Sequence, residues 1–127
     1  MRILLDTTVL IDLLRKRNKR REFLTTLVEA HHTPATTVLN IAELYAGMRS
    51  GEETVTERLL SGLVCLGISE RTARLGGALK NTWSKRGKTL GLADTLIAAV
   101  AIEEQCALLT DNRKDFPMPE VQLYPLP

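Results

Sequence analysis

The chain has 127 residues, of which 44% are hydrophobic and 25% charged, and its formal net charge is +2. This length predicts one domain, because two separate halves would each be too small to bury a useful core. The ordinary composition excludes a disordered chain, a collagen-like chain and a disulfide-stabilised scaffold. The net charge alone indicates neither a nucleic-acid-binding surface nor an acidic site, because a sum hides how the charges are distributed.

Apolar residues alternate along the chain between strand-like runs and helical spacing. Residues 2–5 form an apolar run that predicts a buried strand ending at Asp6, and Leu10, Leu13 and Leu14 then recur at helical spacing. Further strands are predicted at residues 35–38, 63–68, 107–110 and 121–124. Further helices are predicted around residues 23–28, 40–48, 59–63, 69–87 and 92–102.

This alternation of strands and helices determines the predicted fold class. It favours a three-layer α/β/α domain over residues 1–127, with a central parallel sheet of about five strands covered on both faces. Ligands of such sheets bind at the carboxyl ends of the strands, so the search for a site begins there.

Three local features carry more specific expectations. Pro34 is predicted to stop the helix that precedes it. Asn40 is predicted to begin a helix with Glu43 in its first turn, at the spacing of a capping box. The pair Gly76–Gly77 is interpreted either as a site of close helix packing or as a tolerated weak point in a helix.

The apolar segments do not have the pattern of membrane spans or secretory signals. Asp6 and Asp12 interrupt the N-terminal run, and no small-residue cleavage site follows it. We therefore expect a cytoplasmic protein. Cys65 and Cys106 lie in separate apolar segments without a C-x-x-C motif, so we interpret both as buried thiols rather than zinc or redox ligands.

Five carboxylates are predicted to meet at one edge of the sheet. Asp6 ends the first strand, and Asp111 and Asp115 follow the fourth. Glu43 and Asp94 lie near the starts of two helices whose N-termini should face the same edge. Because parallel strands place their carboxyl ends together, residues that are distant along the chain converge there.

Each of these acids also has a structural explanation, such as a helix cap or an Asx turn. Asp94 is the hardest to explain in this way, because the surrounding residues are apolar and an uncompensated buried carboxylate is costly. Clustered carboxylates also raise one another's pKa. A divalent cation would relieve both effects, and a set of oxygen ligands without His or Cys favours Mg²⁺ or Mn²⁺.

Four segments of the chain resemble the signature blocks of a nuclease family. They read LLDTTVLIDLL from Leu4, NIAELYAGM from Asn40, LADTLIAAVA from Leu92 and LLTDNRKDF from Leu108. In this order they resemble PIN-domain ribonucleases, and more narrowly the VapC toxins of VapBC toxin–antitoxin modules, along nearly the whole chain. The resemblance implies the PIN-like fold, a Mg²⁺- or Mn²⁺-dependent endoribonuclease, a homodimer and inhibition by a VapB-like antitoxin. It also implies an RNA substrate, most often a tRNA.

The resemblance assigns roles to the clustered acids. Asp6, Glu43 and Asp94 match the first three acids of the family. Asp6 and Asp94 are expected to bind metal directly, and Glu43 to complete the site through water or by shaping its surroundings. The fourth acid is either Asp111 or Asp115. We favour Asp111 because it lies nearer to the predicted strand end, which leaves Asp115 to hold the loop or to approach the metal.

A basic cluster follows the first predicted helix. Its members are Arg15, Lys16, Arg17, Lys19, Arg20 and Arg21. One interpretation is a solvated helix end, where cations are favourable. The other is a surface that contacts the RNA backbone beside the acids, with Lys85, Arg86 and Lys88 as a second patch. Because aromatic residues are few, recognition by RNA shape and phosphate is expected rather than base stacking.

The leading hypothesis is a VapC-like endoribonuclease in which metal-activated water attacks a phosphodiester in line. A first alternative is a receiver-like phospho-signalling domain, which is also a small α/β fold with an acidic Mg²⁺ site. It would need paired acids after the first strand and an acceptor Asp after the third, yet Thr7 follows Asp6 and the segment LGIS has no acid. A second alternative is a catalytically inactive PIN-like module that binds RNA without cleaving it.

Overall fold

The computed structural model describes all 127 residues, from Met1 to Pro127. Five strands form one sheet: β1 (Arg2–Leu5), β2 (Thr33–Thr37), β3 (Val64–Leu66), β4 (Ala107–Leu109) and β5 (Gln122–Leu123). Six α-helices connect them: α1 (Thr7–Arg15), α2 (Arg20–Glu29), α3 (Val38–Ala46), α4 (Glu53–Ser61), α5 (Glu70–Lys85) and α6 (Leu92–Glu103). A short 3₁₀ helix covers Arg113–Asp115 between β4 and β5.

The sheet is entirely parallel, with the strand order β3-β2-β1-β4-β5. Successive residues of β1 point to opposite faces, so Leu4 packs in one buried cluster and Leu5 in the other. Ile97 of α6 belongs to the first cluster, and Leu10 of α1 and Leu27 of α2 belong to the second. Two cores on the two faces of one sheet confirm the predicted three-layer α/β/α fold.

Helix α6 is apolar on nearly all sides, as the sequence predicts. Its residues from Ile97 to Ala101 are all buried, and Ile97 and Val100 contribute to the core. The helix has 12 residues, and none of the helices in this chain combines the length and the apolarity needed to cross a bilayer. Its apolar character is therefore explained by packing against the sheet.

Helix α3 begins two residues earlier than predicted, because Thr37 rather than Asn40 caps it. The Thr37 side chain accepts a hydrogen bond from the Asn40 backbone N–H at 3.2 Å, and Asn40 Oδ1 accepts one from the Thr37 N–H at 3.2 Å. This capping box places Glu43 in the second turn rather than the first. The Pro34 expectation is also wrong: the preceding helix ends at Glu29, and Pro34 lies within β2.

The two cysteines have different environments. Cys106 is 3% exposed and belongs to the core, as predicted. Cys65 is exposed, so the expectation of a buried thiol is wrong for this residue. It lies in β3, which is an edge strand of the sheet. Side chains of an edge strand can stay exposed to solvent even when the sequence around them is apolar.

Gly76 marks the closest approach of α5 to α6. A Cβ placed on Gly76 would lie 2.7 Å from Leu96 Cδ2 and 3.1 Å from Leu96 Cα, whereas a Cβ on Gly77 would meet nothing within 4 Å. The close-packing interpretation is therefore confirmed for Gly76 alone. We expect Gly76→Ala to destabilise the protein by about 1–3 kcal/mol through overpacking. Gly77→Ala should instead stabilise it by about 0.5–1 kcal/mol through helix propensity.

Urea unfolding of the two alanine variants tests this difference, since both make the same change one residue apart in one helix. Equal midpoints for the two variants would contradict the proposed contact with Leu96.

Candidate metal centre at the carboxyl edge of the sheet

Asp6 occupies the centre of this edge, directly after the middle strand β1. Its carboxylate is fixed from two sides: Oδ1 accepts the Thr7 backbone N–H at 2.9 Å, and Oδ2 accepts the Thr110 hydroxyl at 2.7 Å. Asp6 is 5% exposed and also caps helix α1. A buried carboxylate held in this way has a defined orientation toward the groups beside it.

Glu43 is held by a chain of side-chain hydrogen bonds that begins in the core. The Thr37 hydroxyl donates to Asn40 Oδ1 at 2.7 Å, and Asn40 Nδ2 donates to Thr7 Oγ1 at 2.9 Å. The Thr7 hydroxyl in turn donates to Glu43 Oε1 at 2.7 Å. Asn40 is fully buried, whereas Glu43 is exposed, so a rigid interior network fixes a carboxylate that solvent can still reach.

Asp94 lies in the first turn of α6 and faces the other acids. The pKa of its carboxyl is raised from an ordinary value of 3.8 to about 6, first by burial and then by the negative charges of Asp6, Asp115 and Glu43, in that order. Gly91 lies against this carboxylate, since a Cβ there would be 3.3 Å from Asp94 Oδ2. Four of the five acids predicted to converge therefore share one electrostatic environment.

Asp111 and Asp115 occupy different environments. Asp111 follows β4 and forms an ion pair with Arg20. Asp115 is half-buried and lies near enough to Asp94 to raise the pKa of that carboxyl, an effect that Asp111 does not exert. This geometry does not support our preference for Asp111: it orients Asp111 toward a cation of the protein and brings Asp115 to the acid cluster.

The threonines that neighbour the acids in the sequence contribute differently to this edge. Thr7 and Thr110 donate to carboxylates, whereas the Thr95 hydroxyl donates to the Leu92 carbonyl within its own helix at 3.1 Å. Thr8 Oγ1 is buried without a partner. Two hydroxyls of this set therefore orient carboxylates directly.

Half of the basic cluster is already bonded within the protein. Arg15 pairs with Glu52 at 3.1 Å, Arg20 is 7% exposed, and Arg21 Nε donates to the Leu13 carbonyl at 3.0 Å. The buried position of Arg20 contradicts its expected contact with RNA, because its guanidinium already faces two carboxylates. The remaining members are exposed and have no side-chain bond to the protein: Lys16, Arg17 and Lys19.

The donor chemistry of the acid cluster fits a hard divalent cation. All of its side-chain ligand atoms are oxygens, and the mutually repelling carboxylates around the half-buried Asp94 would gain from a neutralising charge. No three His, Cys, Asp or Glu side chains are already close enough to enclose a metal ion. The site is therefore a set of convergent acids that a cation would draw together.

The raised pKa of Asp94 has a consequence for the stability of the metal-free protein. The folded state holds a proton on Asp94 up to about pH 6, whereas the unfolded chain releases it near 3.8. Ionisation of Asp94 therefore costs folding free energy, and this cost develops as the pH rises from 3.8 to 6. In EDTA, we expect Asp94→Asn to melt at a higher temperature than the wild type at pH 7.5, with the difference shrinking toward pH 4.

Thermal unfolding across this pH range measures the effect, with Glu120→Gln as a control at an exposed acid. A difference between wild type and Asp94→Asn that does not change with pH would contradict the assignment.

An apolar groove lies between α1, α2 and α4. It encloses about 550 Å³. Its apolar lining consists of Leu13, Leu14, Leu24, Val55 and Leu59. The rest of the lining consists of Thr25 and three cations, Lys16, Arg21 and Arg58, and it includes no acid. This surface complements a chain segment that carries apolar residues next to acidic ones.

Comparisons with known proteins agree with this architecture. Residues 3–119 match the model of the PIN domain family. Ribonuclease VapC19 of Mycobacterium tuberculosis is 35% identical over 120 residues, which cover 94% of this chain and 96% of the relative. Ribonuclease VapC2 of Haemophilus influenzae is 30% identical over 121 residues, covering 91% and 90% of the two chains.

Solved structures give the same result in three dimensions. A chain of VapBC2 from Rickettsia felis, bound to a DNA fragment from its promoter, superposes with a TM-score of 0.84 at 27% identity, and 98% of each chain is covered. A chain of a toxin–antitoxin complex from Klebsiella pneumoniae gives a TM-score of 0.77 at 30% identity, with 94% of each chain covered.

Proposed function

This chain belongs to the PIN-domain family, and on that premise we propose that it is a VapC-like endoribonuclease toxin neutralised by a VapB-like antitoxin. The observation that carries the proposal is the convergence of Asp6, Glu43 and Asp115 on the half-buried Asp94 carboxylate. Family membership excludes the receiver-like alternative. This chain also lacks the acceptor Asp that a receiver domain would need after β3. We further propose that the protein acts on cellular RNA in the cytoplasm.

The proposed cofactor is Mg²⁺, with Mn²⁺ as a substitute. Asp6 and Asp94 would hold the ion directly, and Asp115 and Glu43 would complete its surroundings. When bound, the ion supplies positive charge that acidifies a water molecule and stabilises the charge developing on the phosphate. Asp115 takes the place of Asp111 in this proposal because of their different neighbours.

The residues of the chain then have separate tasks. Asp6 is locked by Thr7 and Thr110, so its orientation does not need to be established during the reaction. Glu43 is the exposed acid, and the Thr7 hydroxyl fixes it at one oxygen. Its second oxygen remains available to orient the attacking water and accept its proton.

We propose that the RNA backbone passes the acid cluster along exposed cations. Lys16, Arg17 and Lys19 lie in the loop that leads to α2. Lys88 lies between α5 and α6 and is half-buried, and its Nζ donates to the Lys114 carbonyl at 2.6 Å. Each phosphate neutralised by such a cation adds affinity that salt weakens. A structured RNA such as tRNA fits this recognition by shape and phosphate.

Cleavage of RNA by the purified protein tests the proposal directly. Mixed tRNA is incubated with Mg²⁺, with Mn²⁺ or with EDTA, and the ends of the products are mapped. Attack by water expels the 3′ oxygen and leaves a 5′ phosphate and a 3′ hydroxyl, whereas attack by the RNA 2′ hydroxyl would leave a cyclic phosphate. Binding of RNA without cleavage in either metal would favour the inactive alternative.

The antitoxin is proposed to occupy the apolar groove between α1, α2 and α4. The structural neighbours include chains of VapBC2 and of a toxin–antitoxin complex. The groove offers this chain's largest apolar concavity together with three cations, so its partner segment should carry apolar side chains flanked by acids. The homodimer implied by the family resemblance stays a prediction, which the mass of the protein in solution would test.

A further inference from the structure

A buried arginine joins two carboxylates from different parts of the fold. Arg20 is the first residue of α2, and only 8% of its side chain is exposed. Its Nε lies 3.4 Å from Asp12 Oδ2 on α1, and its Nη2 pairs with Asp111 Oδ1 after β4. Asn18 Nδ2 also donates to Asp12 at 2.9 Å. Arg20 therefore links α1 and α2, two of the helices that line the groove, to the segment that leaves the central sheet.

The segment reached by Arg20 carries part of the acid cluster. The Thr110 hydroxyl donates to Asp6, and Thr110 Oγ1 accepts the Asn112 backbone N–H at 3.0 Å. The Asp115 backbone N–H then donates to the Asn112 carbonyl at 2.9 Å. Residues 110–115 thus form a short bonded path from Asp6 to Asp115, and the ion pair with Arg20 holds this path at Asp111.

We propose that Arg20 is a positioning residue whose ion pair with Asp111 fixes residues 111–115 so that Asp115 faces Asp94. The inference rests on the proposed function only in taking the acid cluster as a metal site. Arg20 and Asp12 are buried charges that cannot be left unpaired without cost, and Asp111 is the second partner of Arg20, so this triad favours one arrangement of the segment. The planar guanidinium can bridge two carboxylates at once, which an ammonium group does less well.

Binding of Mn²⁺, measured by electron paramagnetic resonance, tests this role independently of RNA cleavage. Arg20→Lys keeps the charge but loses the planar fork, and Asp111→Asn removes the charge at the other end while the pair of Arg20 with Asp12 remains. Arg2→Lys is the matched control, because Arg2 pairs with Glu104 at 3.1 Å at the opposite end of β1. Thermal unfolding establishes that each variant is folded at the assay temperature.

We expect Arg20→Lys and Asp111→Asn each to weaken Mn²⁺ binding about tenfold, as is typical when outer partners of metal ligands are changed. Steady-state cleavage of RNA should show kcat reduced to a similar degree, with KM within twofold of the wild type. Arg2→Lys should resemble the wild type in both measurements. Should Arg20→Lys fail to fold, Asp111→Asn alone decides the question.

Three results would overturn the proposal. A raised KM with a weaker salt dependence and unchanged Mn²⁺ binding in Arg20→Lys would make Arg20 an RNA contact. Complete loss of Mn²⁺ binding in Asp111→Asn, with normal binding in Arg20→Lys, would make Asp111 a metal ligand. Unchanged Mn²⁺ binding and kcat in both variants would leave the triad with a purely structural role. A wild-type protein that binds Mn²⁺ but cleaves no RNA would refute the proposed function. The comparison of Mn²⁺ binding between the variants would still test the positioning role of Arg20.

Discussion

Asp94→Asn is expected to abolish metal-dependent RNA cleavage, with a loss of about 10³-fold or more in kcat. A metal ion contributes several kcal/mol to a phosphoryl-transfer transition state, and each 1.36 kcal/mol corresponds to about a tenfold change in rate. Asn keeps the shape of the side chain but removes the charge at the centre of the acid cluster. We expect the same outcome for Asp6→Asn, because Asp6 is the fixed acid after the central strand.

The measurement compares cleavage of tRNA by purified wild-type and variant proteins in Mg²⁺. Glu57→Gln on α4 serves as the control, because it removes an exposed carboxylate outside the acid cluster. The expected higher melting temperature of Asp94→Asn in EDTA would show that lost activity does not come from lost folding. Full cleavage by folded Asp94→Asn would refute the proposed mechanism.

The second large effect concerns the groove. We expect Val55→Asp to weaken binding of the VapB-like antitoxin by about 30- to 100-fold, which corresponds to about 2–3 kcal/mol for a carboxylate placed in an apolar contact. Val55 is 39% exposed and lies in the first turn of α4, where an acid is favourable, so folding should be unaffected. Cleavage of RNA by the free protein should be unchanged, because Val55 is not part of the acid cluster.

Val64→Asp is the matched control for this prediction, since Val64 is also 39% exposed but lies on the edge strand β3 outside the groove. Affinity for the antitoxin encoded beside this chain is measured by titration calorimetry, with a catalytically inactive Asp94→Asn background to permit expression. In active protein, Val55→Asp should arrest growth even when the antitoxin is co-expressed. Equal affinity of the two variants would place the antitoxin on another surface.

These two predictions separate the tasks of the two surfaces. Loss of the acid cluster should give an inactive protein that still binds its antitoxin, whereas loss of the groove should give an active protein that escapes it. Arg20 lies between them, because it touches the helices that line the groove and the segment that carries Asp115.

Local sequence patterns were sufficient for the elements and for most of the acid cluster. Residues 2–5 and 92–102 follow the strand and helix patterns closely, and the structure has them at Arg2–Leu5 and Leu92–Glu103. Asp6, Glu43 and Asp94 were predicted to converge because parallel strands end at the same edge. Their positions needed only the element order and the direction of the strands.

Helix starts and side-chain burial were predicted less well. Asn40 has the composition of a cap, yet Thr37 fills that role and Asn40 bonds Thr7, a residue 33 positions away. Cys65 sits in an apolar segment but on an edge strand, where no neighbour covers it. Asp12 is the feature of the sequence that points to this ion pair. An acid within an apolar helical run needs a partner, and the partner of Asp12 is Arg20.

Periodicity and the residue types at element ends are sufficient to predict the α/β class, the parallel sheet and an acid cluster at its carboxyl edge. The different neighbours of Asp111 and Asp115 are visible only in the folded chain, since Asp111 pairs with an arginine 91 residues away, whereas Asp115 lies near Asp94. The folded chain also shows that only part of the basic cluster is available to RNA, because half of its cations are bonded to the protein itself. The number of charged residues can be counted from a sequence. Whether a charged side chain is available to a ligand depends on which distant side chains pair with it in the folded protein.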